Sequence, residues 1–484
     1  MEGDNRISSM VIDCGLKNMD AEPKAKLSDV VKDIGKTLTP ADKDNPELDF
    51  LVVTHEHWDH VSGFAPSRKL FDDFQIAQVW MAWTEDPDDP IARQINTRLD
   101  KGRRALAIAG EKMKLNLSNN QDFYQQLYQG DHLFTLRESF NKRLTEVIGL
   151  SNLEAKAVTT TESGIDIKKF TISEGTEAAL RHAKSLVKDS ADVKYFSPGK
   201  IIQDRRKFPG IRMYVLGPPR NARINKDLPS EGNDKETYFV LRDASMDGFV
   251  NGLLSLQEGA QALPEDGVPF GYVSCMTKAE AIQTQLYKES YFAEEKKWRT
   301  IEEDWMSISG VLALQMDNDT NNTSLALAME FVDTGQVLLF PGDAQVGSWE
   351  SWHDVTFSIT DQGISRKVTT TDLLNRTILY KVSHHASHNA TLKEKGLELM
   401  ISDELVALIP EKKNSYPGIP HPPLVERLEQ KTRGRLVFSA DSDYPANSYK
   451  DNKPSGLSIE EWEDFKNRLI IEDLYIELSI QANQ

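Results

Sequence analysis

Seven consecutive residues, Thr54-His55-Glu56-His57-Trp58-Asp59-His60, follow directly on the apolar run Phe50-Leu51-Val52-Val53. A short apolar run closed by polar residues reads as a buried strand, so four metal-competent side chains stand at a strand's end. His55 and His57 are two apart, and on an extended backbone they point the same way. Asp59 and His60 follow closely enough for the next turn to fold them over the same point. Imidazole suits zinc, iron, nickel or copper, and a mixed nitrogen and oxygen set with open positions suits hydrolytic metals. The plain alternative is a solvated turn rich in histidine. With only ten histidines in 484 residues, a cluster of this composition favours the metal reading.

The rest of the composition narrows the setting. A chain of 484 residues has room for roughly two to four domains and a large core. Mean hydropathy is −0.48 and no apolar run reaches transmembrane length, so a soluble globular protein is expected. The start, Met1-Glu2-Gly3-Asp4, is acidic where a signal peptide is basic, which makes the cytoplasm the expected location. Two cysteines, Cys14 and Cys275, predict no disulfide framework. The balance of 57 basic to 75 acidic residues leaves a net charge of −18, which disfavours a broad grip on duplex DNA. Lys101-Gly102-Arg103-Arg104 is a short basic run, better read as a solvated helix end than as a nucleic-acid groove.

The stretch Thr54 to His60, continued by Val61-Ser62-Gly63-Phe64, resembles the signature T-H-x-H-x-D-H-x-x-G of the metallo-β-lactamase-fold hydrolases. The resemblance implies an α/β fold, a four-layer αββα sandwich with one or two metals at one edge. It says little about substrate, because the same site cuts lactams, lactones, thioesters and phosphodiesters. In Met10-Val11-Ile12-Asp13-Cys14-Gly15, Asp13 matches the family's aspartate beneath the metal site, and it is equally a strand-terminating turn residue. The strand Ile211–Leu216 ends in Gly217-Pro218-Pro219, where many members carry a third ligand histidine. This chain has none there. His132 and His182, further upstream, read as ordinary surface or core histidines.

The second half repeats the pattern of strand followed by ligand. Gln336-Val337-Leu338-Leu339-Phe340-Pro341-Gly342-Asp343 is a strand that delivers Asp343 at its tip, as a carboxylate able to bridge two cations. Thr377 to Val382 is another, ending in Ser383-His384-His385-Ala386-Ser387-His388. Adjacent residues diverge on an extended chain, so one of His384 and His385 is expected to face the metals. Leu-Phe-Pro-Gly-Asp and Lys-Val-Ser-His-His-Ala-Ser are similar to runs in the hydrolase domain of bacterial DNA-uptake (competence) channels. That resemblance favours His385 as the ligand and departs at Ala386, where the relatives carry glycine. It also brings Pro420-His421-Pro422 near the site, with Asp13, His388 and His421 as supporting or substrate-contacting residues.

On this reading a hydrolase domain spans 1–445. It is interrupted by a helical insertion over about 91–200, as a cap or a remote decoration, and by a variable insertion over about 220–305. A tail over 446–484, with a helix at Ile459–Asn467, packs on the core edge. Two divalent ions, Zn2+ or Mn2+, are expected. His55, His57 and one further group would hold the first; Asp59, His60 and His384 or His385 the second, with Asp343 bridging. Asp59 would also orient a metal-bound hydroxide. The expected substrate is a phosphodiester, in a nucleic acid or nucleotide, with no membrane partner. The alternatives are hydrolysis of a small ester, lactone or amide, or a non-enzymatic partner protein with a degenerate metal site.

Overall fold

The computed structural model describes residues 8–16, 26–119, 155–221 (apart from 163–164, 173–174 and 205), 224, 250, 278–291, 293, 304–410 (apart from 362), 419–439 and 452–481. His132 and the variable stretch from Gly248 to Gly271 therefore lie, almost entirely, outside the described residues. The chain divides into two compact units. One comprises Met1–Asn96, Thr176–Ser230 and Asn318–Gln484; the other comprises Thr97–Gly175 and Glu231–Asp317.

In chain order the strands are β1 (Met10–Ile12), β2 (Glu47–Val52), β3 (Gln75–Ala82), β4 (Ala155–Glu162), β5 (Ile165–Ile172), β6 (Val193–Phe196), β7 (Ile201–Ile202) and β8 (Ile211–Gly217). They continue with β9 (Ala326–Phe331), β10 (Val337–Phe340), β11 (Thr356–Asp361), β12 (Ile364–Thr369), β13 (Thr377–Lys381), β14 (Val406–Ile409), β15 (Leu436–Phe438), β16 (Leu469–Ile471) and β17 (Ile476–Leu478).

The first unit is built on two sheets. One is parallel throughout, in the order β1-β2-β3-β6; the other is mixed, in the order β15-β14-β13-β10-β9-β8-β7. Alternation along the strands explains how they pack. Phe50 and Val52 of β2 meet Met213 and Val215 of β8 and Leu325 and Leu327 in a core between the sheets. Leu51 and Val53 face the opposite way, against the helices Leu27–Leu38 and Thr176–Ser185. On the far side of the large sheet, Tyr214, Ala328, Leu339 and Tyr380 pack against Trp349, Trp352, Leu373 and Leu428 of three further helices. Helix, sheet, sheet, helix: this is the four-layer α/β architecture of the metallo-β-lactamase fold, with insertions.

The tail helix Ile459–Asn467 begins with a capping box, Ser458 with Glu461, and buries Phe465 with Leu469 against Leu379, Val406 and Val437. β16 and β17 form a hairpin over the same cluster.

Three expectations are revised. A helical insertion was expected over about 91–200, yet β4 and β5 within it pair as an antiparallel hairpin in the second unit. Val158-Thr159-Thr160-Thr161 and Ile165 with Ile167 are β-branched, and they set the local preference. The chain also returns to the core before residue 200, because β6 completes the parallel sheet beside β3. The basic run at Lys101 is not a helix end. Gly102 lies inside the helix Pro90–Asn119 and packs on Met316, where an added Cβ would stand 2.5 Å from the sulfur. Arg104 is tied to Asp100 by bonds of 2.8 and 2.9 Å.

Among the described residues no helix is long and apolar enough to cross a membrane.

Candidate metal centre

Three strand ends in the first unit converge on one point. β2 runs into the loop Val53 to His57 and the one-turn helix Trp58–Val61; β10 delivers Asp343; β13 delivers His384 and His385. Backbone bonds lock this meeting. Leu325 N–H donates to Thr54 O at 2.9 Å, and Asp343 N–H donates to Ser324 Oγ at 3.0 Å. Gly342 lets the two sheets touch: its φ is 62°, and an added Cβ would lie 3.1 Å from the Thr54 Cβ and 3.0 Å from that of Ser324.

Six side chains supply donors in three close pairs. His55 Nε2 lies 3.1 Å from His57 Nδ1, His60 Nε2 lies 3.0 Å from Asp343 Oδ2, and His385 Nε2 lies 3.1 Å from Asp59 Oδ2. Asp343 Oδ2 is also 4.0 Å from His385 Nε2. Ligand atoms of His55, His60 and Asp343 lie mutually within 4.8 Å, as do those of Asp59, His60 and His385. Two donors about 2.1 Å from one ion stand about 3.0–3.4 Å apart, so this donor set fits a divalent metal in spacing as well as in chemistry.

Supporting bonds fix the ring faces. His60 Nδ1–H donates to Asp13 Oδ2 at 2.8 Å, leaving Nε2 for the cluster. The other Asp13 contacts hold the site loop, accepting from Thr54 N–H at 2.7 Å and Thr54 Oγ1 at 2.6 Å. His385 Nδ1–H donates to the carbonyl of Pro410 at 2.8 Å. Asp13 thus stands beneath the site as a partner of its loop, with φ 60° at the end of β1.

The adjacent pair does not sit on an extended strand. His384, His385 and Ala386 take φ values of 42°, 53° and 61°, a left-handed turn that L residues rarely make. The simple divergence of neighbours on an extended strand does not apply. His385 joins the donors, while His384 gives its backbone N–H to Asp343 Oδ1 at 3.1 Å. The His384 ring turns to Ser387 Oγ at 2.9 Å and Gln345 Nε2 at 3.2 Å. His388 is exposed and pairs with His421 at 6.1 Å between ring centroids, outside the donor cluster. His421 is tied to the site loop through its N–H on Ala386 O at 2.9 Å. His182 is not among the grouped donors and bonds Phe64 O and Asp72.

Burial and mutual charge polarise the centre. Burial lowers His55 well below the usual histidine range, and the neighbouring His60 and His57 push the same way. Burial likewise lowers His57 and His384, each to about 4. For Asp59 burial acts to raise the pKa, but the His385 hydrogen bond and the His60 charge overrule it and hold the carboxyl low. Burial opposes the low pKa of Asp343 in the same way and loses to His60. His60 is driven well above 6.5 because Asp343 and Asp13 outweigh its burial.

Sequence reading missed Lys381, whose Nζ stands 4.0 Å from Asp343 Oδ1. A lysine at a strand end looks like any solvated charge, and its place in the run Lys381 to Ser387 gave it no role of its own.

The first half of this centre can be compared with known proteins. Residues 8–76 match the family model of the metallo-beta-lactamase superfamily. The matched segment holds Asp13, His55, His57, Asp59 and His60; Asp343 and His385 join them through the fold. No curated protein and no solved structure matches the chain.

Proposed function

We propose that this protein is a metal-dependent hydrolase acting on a phosphodiester, in a nucleic acid strand or a nucleotide. The observation that carries the proposal is the convergence of His55, His57, Asp59, His60, Asp343 and His385 with donor pairs 3.0–3.1 Å apart. On this reading His55 and His57 would hold a first ion and Asp59, His60 and His385 a second, with Asp343, whose Oδ2 is within reach of both sets, available to either. Zn2+ or Mn2+ bound there would polarise the scissile group and lower the pKa of water.

The chain's own groups then have defined tasks. Asp59, kept ionised by His385 and His60, is too weak a base to take a proton outright near neutral pH. It serves instead as an acceptor that orients the attacking water. Asp13 and the Pro410 carbonyl keep His60 and His385 in the tautomers that present Nε2. His388 and His421 lie beside the loop that carries His385, and we assign them to contact with the substrate. The net charge of −18 favours a small or single-stranded substrate over a broad duplex grip.

The test is hydrolysis of bis-(p-nitrophenyl) phosphate by protein supplied with manganese or zinc. Turnover that disappears in Asp59→Ala supports the reading. Turnover of an ester or lactone with none of the diester would move the assignment to carboxylic substrates.

A further inference from the structure

We infer that Lys381 is the substrate-positioning residue of this centre, binding a non-bridging oxygen of the phosphoryl group. The inference rests on the phosphodiester reading and adds a specific recognition element to it.

Lys381 is the last residue of β13, and strand alternation sets its direction. Tyr380 points into the core behind the large sheet, fully buried, so Lys381 projects on the opposite face, the side of Leu379. There its Nζ reaches to 4.0 Å from Asp343 Oδ1. The two side chains differ sharply in access: Lys381 is 26% exposed and Asp343 is 2% exposed. The lysine side chain is thus partly open to solvent, while the carboxylate it approaches is buried.

The Asp343 contact does not occupy this lysine. At 4.0 Å it is an ion pair without hydrogen-bond contact, and an ammonium has three donors to place. Asp343 Oδ1 already accepts the N–H of His384 at 3.1 Å. Charge points the same way. Three carboxylates, Asp13, Asp59 and Asp343, touch the cluster, and two divalent ions would more than balance them. Lys381 adds positive charge to a centre that is already positive when loaded. Such a residue weakens metal binding if it acts alone, and it makes sense as a partner for an anionic substrate. A neutral ester or lactone would leave that charge unanswered.

The experiment compares wild type with Lys381→Met and Lys381→Arg in the full chain. Metal content is measured by elemental analysis, binding of inorganic phosphate to the metal-loaded protein by calorimetry, and KM and kcat with bis-(p-nitrophenyl) phosphate. The expected result is unchanged metal content, with phosphate Kd and diester KM about ten-fold higher in Lys381→Met. Lys381→Arg should recover most of the loss. Unchanged phosphate affinity in Lys381→Met overturns the inference, as does a loss of metal, which would make the lysine a support for Asp343. If wild type cleaves no diester, the phosphodiester reading fails and the phosphate titration still decides for or against Lys381.

Discussion

Asp13 and His60 lie 47 positions apart in the chain and share a hydrogen bond of 2.8 Å, which sets the face that His60 offers to the metal cluster. The carboxylate accepts the Nδ1–H bond, so Nε2 stands 3.0 Å from Asp343 Oδ2. Replacing Asp13 by alanine removes this orientation and also the anchor of Thr54. Metal affinity should fall about 10–100-fold, as measured by competition with a chromogenic chelator. Unchanged affinity would mean that packing alone orients His60.

The proton on His60 gives a pH dependence. Asp343 and Asp13 raise its pKa well above 6.5 in the metal-free protein, so the incoming ion must displace a proton. Apparent metal affinity should rise with pH, by up to about ten-fold per unit while His60 stays protonated. The stability that this group contributes to the metal-free protein has the opposite sign. It is fully present below the unfolded-state value and is lost as pH climbs through the raised folded-state value. Calorimetric titration at pH 7 in buffers of different ionisation heat counts the protons released; a count of zero would contradict the assignment.

Gly15 is where the Asp13 turn passes under the site loop. A Cβ on it would stand 2.4 Å from the backbone carbon and oxygen of Asp59, and backbone cannot swing aside as a side chain does. The bonds Cys14 N–H to His60 O and Gly63 N–H to Cys14 O pin the same crossing at 2.8 Å each. Gly15→Ala should destabilise the protein by about 1–3 kcal/mol and lower its metal content. Thermal unfolding and elemental analysis read the two effects, and a variant as stable as wild type would show that the crossing is loose.

Much of the centre was legible because its chemistry is local. Four donors fall between His55 and His60, on a strand end that the apolar run Phe50–Val53 announces. Asp343 was legible for the same reason, at the tip of β10. What escaped depends on backbone conformation or on distance in the chain. The left-handed turn of His384, His385 and Ala386 is one such feature, which no apolar periodicity encodes. Lys381 gains meaning only once β10 and β13 lie side by side, bringing Asp343 within reach. The hairpin of β4 and β5 was missed because apolar recurrence upstream was extended across a run of threonines.

Arg212 tests the fold apart from the site. It is 1% exposed, at the end of β8 away from Gly217, and donates to Glu330 Oε2 at 3.1 Å and to Asp361. Glu330, also 1% exposed, further accepts from Tyr214 at 2.6 Å and Arg376 at 2.7 Å. Arg212→Met strips a buried carboxylate of one cation and should cost about 3–5 kcal/mol. Denaturant unfolding measures the loss, and metal content of the folded fraction should not change. A cost below about 1 kcal/mol would show that Tyr214 and Arg376 satisfy Glu330 without Arg212.

The most direct test of the account is elemental analysis of protein purified without chelators, wild type beside Asp343→Ala. The donor geometry predicts two zinc or manganese ions per wild-type chain and at most one in the variant, since Asp343 is within reach of both ligand sets. Wild-type protein that stays metal-free after incubation with both ions would contradict the assignment of these six residues as a metal centre.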